Sequence, residues 1–126
     1  MQQLDVVKTV KAIIPLGEFA LNAYMLTNGE KRFDVEDIGL VFGYTRCWFY
    51  ESVNQESKWM KKLRMAGFDG TEQSLQTTED SGETVIIQTI SLRDFIQLAV
   101  CESVVNGNIR AVILLAALAE VGLESS

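Results

Sequence analysis

The first third of the chain has the residue pattern of strands. Residues 4–14 (LDVVKTVKAII) are rich in β-branched side chains, which predicts a first strand that Pro15 ends. Residues 18–26 (EFALNAYML) alternate in part and predict a second strand, and residues 31–35 predict its return partner. The pair Asn28-Gly29 lies between them, and both residue types tolerate positive φ, so we expect a type I′ hairpin turn.

The pattern then changes to a helical period. Asp34 is a suitable N-cap for a first helix, Asp37 suits its first turn, and Gly43 is a suitable stop. One helical face between these limits carries the apolar residues, which are Val35, Ile38, Val41 and Phe42. This spacing predicts a short helix that packs on the hairpin.

The residues after Gly43 predict two more helices. The first has Thr45 as its N-cap, runs through Trp48 and Phe49, and breaks near residues 54–55. The next covers residues 57–65 (SKWMKKLRM) and ends at Gly67. We interpret Trp48 and Phe49 as core residues.

A polar, acidic segment follows these helices. Residues 69–83 (DGTEQSLQTTEDSGE) contain few apolar side chains and predict a mobile surface loop. Residues 84–90 (TVIIQTI) predict a strand by their β-branched content. Ser91 and Asp94 then have the spacing of a capping box and predict the start of another helix.

The C-terminal part predicts two helices separated by the turn Asn106-Gly107-Asn108. The final helix, over residues 109–121, is strongly apolar on more than one face, and Gly122 is expected to end it. The order of elements predicts an α+β fold with an N-terminal β-hairpin, central helices, one further strand and two C-terminal helices. Since neither an internal repeat nor a linker is visible, we expect one domain over residues 1–126.

Composition then restricts the chemistry. The 126 residues include no histidine and two cysteines, Cys47 and Cys101, which lie far apart in the sequence. Histidine-dependent catalysis is thereby excluded, and a zinc site becomes implausible. We interpret both cysteines as small core residues. The carboxylates show no metal-binding spacing and no phosphate-binding motif is present, so we predict a protein that is not an enzyme and holds no metal and no cofactor.

The sequence also bears on location. No signal pattern is visible at the N-terminus, and the longest apolar stretch, residues 111–119, is too short to span a bilayer. Two free thiols are compatible with a reducing compartment. We therefore expect a cytoplasmic protein with no membrane partner.

Charge is divided unevenly along the chain. Residues 1–66 carry nine Lys and Arg against eight Asp and Glu, whereas residues 67–126 carry two against nine, which gives the net charge of −6. A uniformly basic nucleic-acid binder would not have this balance, although a local basic face in the first half stays compatible with it.

The basic residues of the first half suggest one candidate site. The helices at 35–42 and from 45 onward, joined by Gly43-Tyr44, have the layout of a helix-turn-helix, in which Thr45, Arg46 and Tyr50 would approach DNA. The next predicted helix carries a set of cations suited to phosphate contacts, namely Lys58, Lys61, Lys62 and Arg64. The alternatives are a generic helix-packing unit and a solvated helix face.

Two stretches resemble a known family. Residues 29–44 (GEKRFDVEDIGLVFGY) are similar to the opening of the BRO-N domain of phage antirepressors and related viral proteins, through Phe33, Val35, Asp37, Ile38, Phe42, Gly43 and Tyr44. Residues 90–123 resemble the family's close, through Ser91, Leu92, Phe95 and Gly122. The chain order also resembles that of small cyanobacterial and phage proteins. The basic turn and the tryptophan of the family's last helix are missing here, which leaves residues 45–64 as the DNA-facing element.

Two functions from different classes follow. The resemblance implies a bacterial or phage DNA-binding transcriptional regulator that uses residues 45–64. The alternative is a protein-interaction module, such as an antirepressor, an adaptor or a small subunit, that does not contact DNA; the acidic second half favours it. In that case the segment 69–83 is a candidate contact. One face of the final helix is a candidate homodimer contact.

Overall fold

The computed structural model describes residues 10–16, 19–26, 29–54, 58–78 and 81–124. Along these ranges three strands are followed by three helices, two strands and two helices, which is an α+β order, as the sequence predicts. The strands are β1 (Val10–Leu16), β2 (Phe19–Met25), β3 (Lys31–Asp34), β4 (Gln73–Thr78) and β5 (Thr84–Ser91). The helices are α1 (Val35–Val41), α2 (Trp48–Asn54), α3 (Lys58–Met65), α4 (Leu92–Val105) and α5 (Ile109–Glu124).

The strands form one antiparallel sheet in the order β1-β2-β3-β5-β4. The short strand β3 lies at its centre, where Phe33 pairs with Ala23 on one side and with Ile90 on the other. β5 follows α1, α2, α3 and β4 in the chain. The pairing of β3 with β5 therefore joins the N-terminal strands of the sheet to its C-terminal strands.

The helices cover one face of the sheet and bury the main core there. Phe33, Ile90 and Phe95 are fully buried at its centre, and the rings of Phe33 and Phe95 lie 5.1 Å apart. α1 adds Val35 and Ile38, and further side chains of this core come from every described helix, namely Phe49, Met60, Leu63, Leu98, Ala111 and Leu114. A smaller cluster of Tyr24, Leu26 and Leu75, with Ile87 packed against it, lies apart from this core.

The segment predicted as a mobile loop over residues 69–83 is partly a strand, so that prediction is wrong for β4. Gln73 pairs with Thr89 and Thr78 with Thr84, which makes β4 an edge strand of the sheet. Of its six residues only Leu75 is apolar. An edge strand needs little apolar surface because its main-chain hydrogen bonds to one neighbour hold it in place, and its residue pattern therefore resembles that of a loop.

The other boundary differences have local causes. Pro15 does not end the first strand but lies within β1, opposite Ala20; β1 is the other edge strand, where a missing N–H is tolerated. Residues 4–9 of the predicted first strand lie outside the described ranges. Gly122 likewise does not end the last helix, which continues to Glu124.

The hairpin between β2 and β3 has a different turn from the one expected. The N–H of Leu26 donates to the carbonyl of Glu30, which leaves three residues in the loop instead of two. The N–H of Gly29 donates back to the carbonyl of Leu26, and Gly29 has a φ of 87°. This is the arrangement of a three-residue hairpin loop, in which only the last position needs positive φ. Thr27 and Asn28 lie outside the described residues.

Capping confirms the predicted starts of α1 and α4. The Asp34 carboxylate accepts a hydrogen bond from the N–H of Glu36 at 2.9 Å, and Gly43 follows α1 with a φ of 87°. Ser91 Oγ accepts from the N–H of Asp94 at 3.1 Å. The predicted N-cap at Thr45 is wrong, because the carbonyl of Thr45 accepts from the N–H of Trp48 in a turn and α2 begins only at Trp48. The predicted break at residues 54–55 falls partly outside the described ranges.

Gly39 allows α1 and the following turn to approach each other closely. A Cβ atom at this position would overlap the carbonyl oxygen of Thr45 and contact Cβ of Trp48. Backbone cannot move away as a flexible side chain can, so the absence of a side chain at Gly39 sets the geometry of the α1–α2 connection.

We expect Gly39→Ala to lower the free energy of unfolding by about 1–3 kcal/mol, since overpacking against Thr45 outweighs the gain in helix propensity. Urea denaturation measures this. Leu40→Ala is the matched control, because Leu40 is the next residue of α1 and is 44% exposed. A Gly39→Ala variant as stable as the wild type would contradict the close approach.

Candidate functional site

The sequence singled out the connection between α1 and α2, and the structure builds it from aromatic side chains. Trp48 is half-buried; the ring of Tyr44 stacks on it at 5.2 Å and the ring of Phe42 meets it edge-on at 5.3 Å. Phe49 is fully buried in the main core, as predicted. Thr45 and Arg46 are exposed in the turn that leads into α2. The turn therefore presents Thr45 and Arg46 outward while the aromatic residues hold it in place.

The basic residues of α3 lie on its outer side. Met60 and Leu63 anchor the helix in the main core, whereas Lys61, Lys62 and Arg64 are exposed. Within the described part of the chain, no salt bridge involves these three side chains. Lys58 is the first residue of α3, and its side chain lies outside the described part. A local basic surface thus exists on α3, made of Lys61, Lys62 and Arg64, and we call it the α3 basic surface.

Tyr50 lies in a different electrostatic environment from α3. Burial raises the pKa of its hydroxyl to about 12, and the neighbouring carboxylates of Glu72, Glu36 and Asp34 contribute to this rise, Glu72 also through a hydrogen bond. A phosphate group that approached this hydroxyl would meet negative charge. The structure therefore does not join Tyr50 to the α3 basic surface.

Arg32, a cation of the hairpin strand β3, is a structural residue. Its guanidinium is buried, forms a salt bridge to Glu30 at 2.9 Å, and donates to both Oγ1 and the carbonyl of Thr89. It also reaches the carbonyl of Thr71 at 3.4 Å. Since these contacts join β3, β5 and the start of the β4 segment, Arg32 stabilises the sheet instead of extending a positive surface.

Asp34 combines a capping role with an unfavourable charge. The pKa of its carboxyl is raised from 3.8 to about 6, mainly by burial. The hydrogen bond from the Glu36 N–H and the charge of Arg46 lower this pKa, whereas the charges of Asp37 and Glu36 raise it. The charge of Arg46 therefore acts on this acidic group. The surroundings of Arg46 thus include an acidic side chain as well as the cations.

A hydrogen-bond network that the sequence analysis did not predict connects the turn after α1 to the turn between α4 and α5. Glu102 is 1% exposed, yet it accepts hydrogen bonds from the hydroxyl of Tyr44 at 2.9 Å and from the amide of Asn106. Asn108 donates to the carbonyl of Phe42 at 3.0 Å, and Arg110 Nε donates to the carbonyl of Val41 at 3.1 Å. The turn after α1 is therefore fixed to the α4–α5 turn. The sequence feature that could have indicated this network is a single acidic residue, Glu102, within an otherwise apolar part of a helix.

The acidic segment after α3 is fixed at its start by a similar buried acid. Asp94 is 4% exposed and accepts hydrogen bonds from the N–H groups of Asp69 and Gly70. The amide of Gln97 donates to the carbonyl of Ala66. The first residues of the predicted loop 69–83 are therefore attached to α4.

The two C-terminal helices expose a large aliphatic surface. α5 buries Ala111 and Leu114, as the core interpretation requires, but its opposite side is apolar too. The exposed residues are Ile96 (36%), Val100 (45%), Val104 (78%) and Val105 (54%) on α4, and Ile109 (68%), Val112 (46%) and Ile113 (37%) on α5. We call this set the α4–α5 face. Exposed apolar side chains that are concentrated on two packed helices mark interaction sites more often than scattered exposed residues do.

The cysteines differ from expectation at one position. Cys101 is buried, and burial followed by the charge of Glu102 raises the pKa of its thiol. Cys47 is exposed, so its assignment to the core is wrong. In the ranges that the structure describes, no three His, Cys, Asp or Glu side chains are grouped to hold a metal ion, and no helix is both long and apolar enough to cross a bilayer.

We expect the stability of the wild type to fall as the pH rises from about 4 to about 6, in part through Asp34. Its pKa is higher in the folded chain than the ordinary 3.8, so the folded state binds the proton more tightly and loses this advantage as the carboxyl ionises. Asp34→Asn keeps an oxygen for the Glu36 N–H and removes the charge. Relative to the wild type it should gain about 1–2 kcal/mol between pH 4 and pH 7, after allowance for solvent screening.

Thermal or urea unfolding at several pH values measures this difference. Glu51→Gln is the control, since Glu51 is an exposed carboxylate in the first turn of α2. A difference between Asp34→Asn and wild type that does not change with pH would contradict the burial of this charge.

Comparison of the chain with protein-family models, with curated proteins and with solved structures finds no significant match. The resemblance to the BRO-N domain therefore stays a prediction from the residues quoted above.

Proposed function

We propose that this chain is a protein-interaction module that binds its partner through the α4–α5 face. The observation that carries the proposal is the exposure of seven aliphatic residues on two neighbouring helices, two of them more than two-thirds exposed. Each exposed square ångström of apolar surface costs roughly 25 cal/mol relative to burial, so a partner that covered this face would recover several kcal/mol. A helix surface that contacted only water would carry polar residues here.

The charge distribution supports the same proposal. Between Ile96 and Ile113 the only exposed charged side chain is Arg110, whose Nε donates to the carbonyl of Val41, although the chain as a whole has a net charge of −6. The centres of protein interfaces are depleted of charged residues in this way, with polar residues at the rim. The Glu102 network holds the α4–α5 turn in place, so the face is presented by a fixed helix pair.

We expect a photo-crosslinking amino acid at Val104 or Val112 to give a covalent adduct with a partner protein in living cells. The same residue at Met65 is the control, because Met65 is 88% exposed on α3 and lies outside the face. Gel electrophoresis and mass spectrometry of the adducts read the result. Absence of an adduct at both Val104 and Val112 would refute the proposal.

A second candidate function is DNA binding by a transcriptional regulator, and the α3 basic surface favours it. Lys61, Lys62 and Arg64 are exposed on one helix, and Thr45 and Arg46 are exposed in the turn before α2. Phosphate contacts require cations that are accessible from solvent, which this helix offers. The acidic surroundings of Tyr50 make the candidate surface smaller than the sequence implied.

For this second function we expect the Lys58→Ala/Lys61→Ala/Lys62→Ala variant to bind duplex DNA more weakly at every sequence. The slope of log affinity against log salt should decrease by about one unit for each phosphate that the variant no longer neutralises. Gel-shift titrations at several salt concentrations measure the slope. Lys31→Ala is the control, since Lys31 is an exposed cation on the hairpin. An unchanged affinity in the triple variant would exclude DNA binding through α3.

A further inference from the structure

We infer that the partner which covers the α4–α5 face is a second copy of this chain, related to the first by a twofold axis that runs parallel to α4 and α5. The inference rests on the proposed function, because it assumes that the face is an interface, and it adds the identity of the partner.

The size of the face is the first argument. A standard protein interface buries about 800 Å² on each partner, of which a little over half, or about 450 Å², is apolar. Seven aliphatic residues that are 36–78% exposed present several hundred Å² of apolar surface, which is the apolar share that one side of such an interface needs. A stable dimer therefore requires no apolar surface beyond what this face provides.

The arrangement of the side chains is the second argument. Ile96, Val100 and Val104 follow one another at a spacing of four on α4, and Ile109, Val112 and Ile113 lie at spacings of three and four on α5. α4 and α5 pack against each other and are joined by the short turn Asn106–Asn108. The two helices are therefore antiparallel. When two such helix pairs are placed face to face about a twofold axis parallel to the helices, they form a four-helix packing in which each α4 lies opposite the α5 of the other copy. A twofold contact requires this self-complementarity.

Charge at the end of the face is the third argument. Arg93 precedes Ile96 by three residues on α4 and is exposed, with one guanidinium nitrogen beside Gly67 after α3. Glu120 follows Ile113 by seven residues on α5 and is exposed as well. Because the helices are antiparallel, both charges lie at the same end of the helix pair. Rotation about an axis parallel to the helices places Arg93 of one copy opposite Glu120 of the other, twice in the dimer. The contact therefore joins opposite charges although each chain has a net charge of −6.

Sedimentation equilibrium or light scattering of the purified chain over a wide concentration range tests the inference. We expect a dimer, and we expect Val104→Lys/Ile109→Lys to raise the dissociation constant at least about 100-fold, because two aliphatic side chains are no longer buried. Lysine suits an exposed helix position, so the variant should keep its fold, which circular dichroism checks. Met65→Lys is the matched control and should dimerise as the wild type does.

Charge reversal tests the orientation of the axis. Arg93→Glu and Glu120→Arg should each weaken the dimer by about tenfold, and the double variant should recover most of that affinity. Weaker association in both single variants without recovery in the double variant would overturn the pairing of Arg93 with Glu120.

The remaining outcomes separate the inference from the proposed function. A wild type that stays monomeric while Val104 crosslinks to a different protein, or to the first residues of its own chain, would overturn the second copy as partner. A dimer that Val104→Lys/Ile109→Lys leaves intact would also overturn it. A monomer that gives no adduct at Val104 or Val112 would overturn the inference and the proposed function together.

Discussion

The antiparallel pairing of β3 with β5 is the constraint on which the rest of the structure depends. β3 has four residues, yet it connects the N-terminal hairpin to the strand that leads into α4. Arg32 stabilises the pairing through two hydrogen bonds to Thr89. Phe33 anchors β3 in the core by packing against the ring of Phe95. These contacts join residues that are more than fifty positions apart in the chain. They therefore form only after the N-terminal and C-terminal parts of the chain have come together during folding.

The buried charged residues serve this long-range assembly. Arg32, Asp94 and Glu102 are each less than 7% exposed, and each joins segments that are distant in sequence. Arg32 connects strands, Asp94 holds the backbone after α3, and Glu102 fixes the turn after α1 through Tyr44. A buried charge without its partner would cost several kcal/mol, so these contacts favour one arrangement of the helices over others. That arrangement decides which sides of α4 and α5 remain exposed.

Charge and apolar exposure divide the surface into regions with different capacities. Around Tyr50 the carboxylates of Asp34, Glu36 and Glu72 keep the potential negative, whereas α3 presents Lys61, Lys62 and Arg64 without a salt bridge in the described part. The α4–α5 face consists of aliphatic side chains. The cations of α3 thus form one surface, the buried Arg32 is not part of it, and the α4–α5 face is a second surface made of aliphatic side chains.

The sequence by itself determined the elements whose signals are local. The caps at Asp34 and Ser91, the β-branched run of β5 and the apolar period of α1 each depend on neighbouring residues, and the α+β order followed from them. β4 could not be read from the sequence, because an edge strand with one buried residue, Leu75, forms only when β5 is present to pair with it. Only the tertiary structure decided that Arg32 is buried and that one side of α5 is free. Burial depends on what packs against a residue, and the residue's own neighbours in the chain do not specify it.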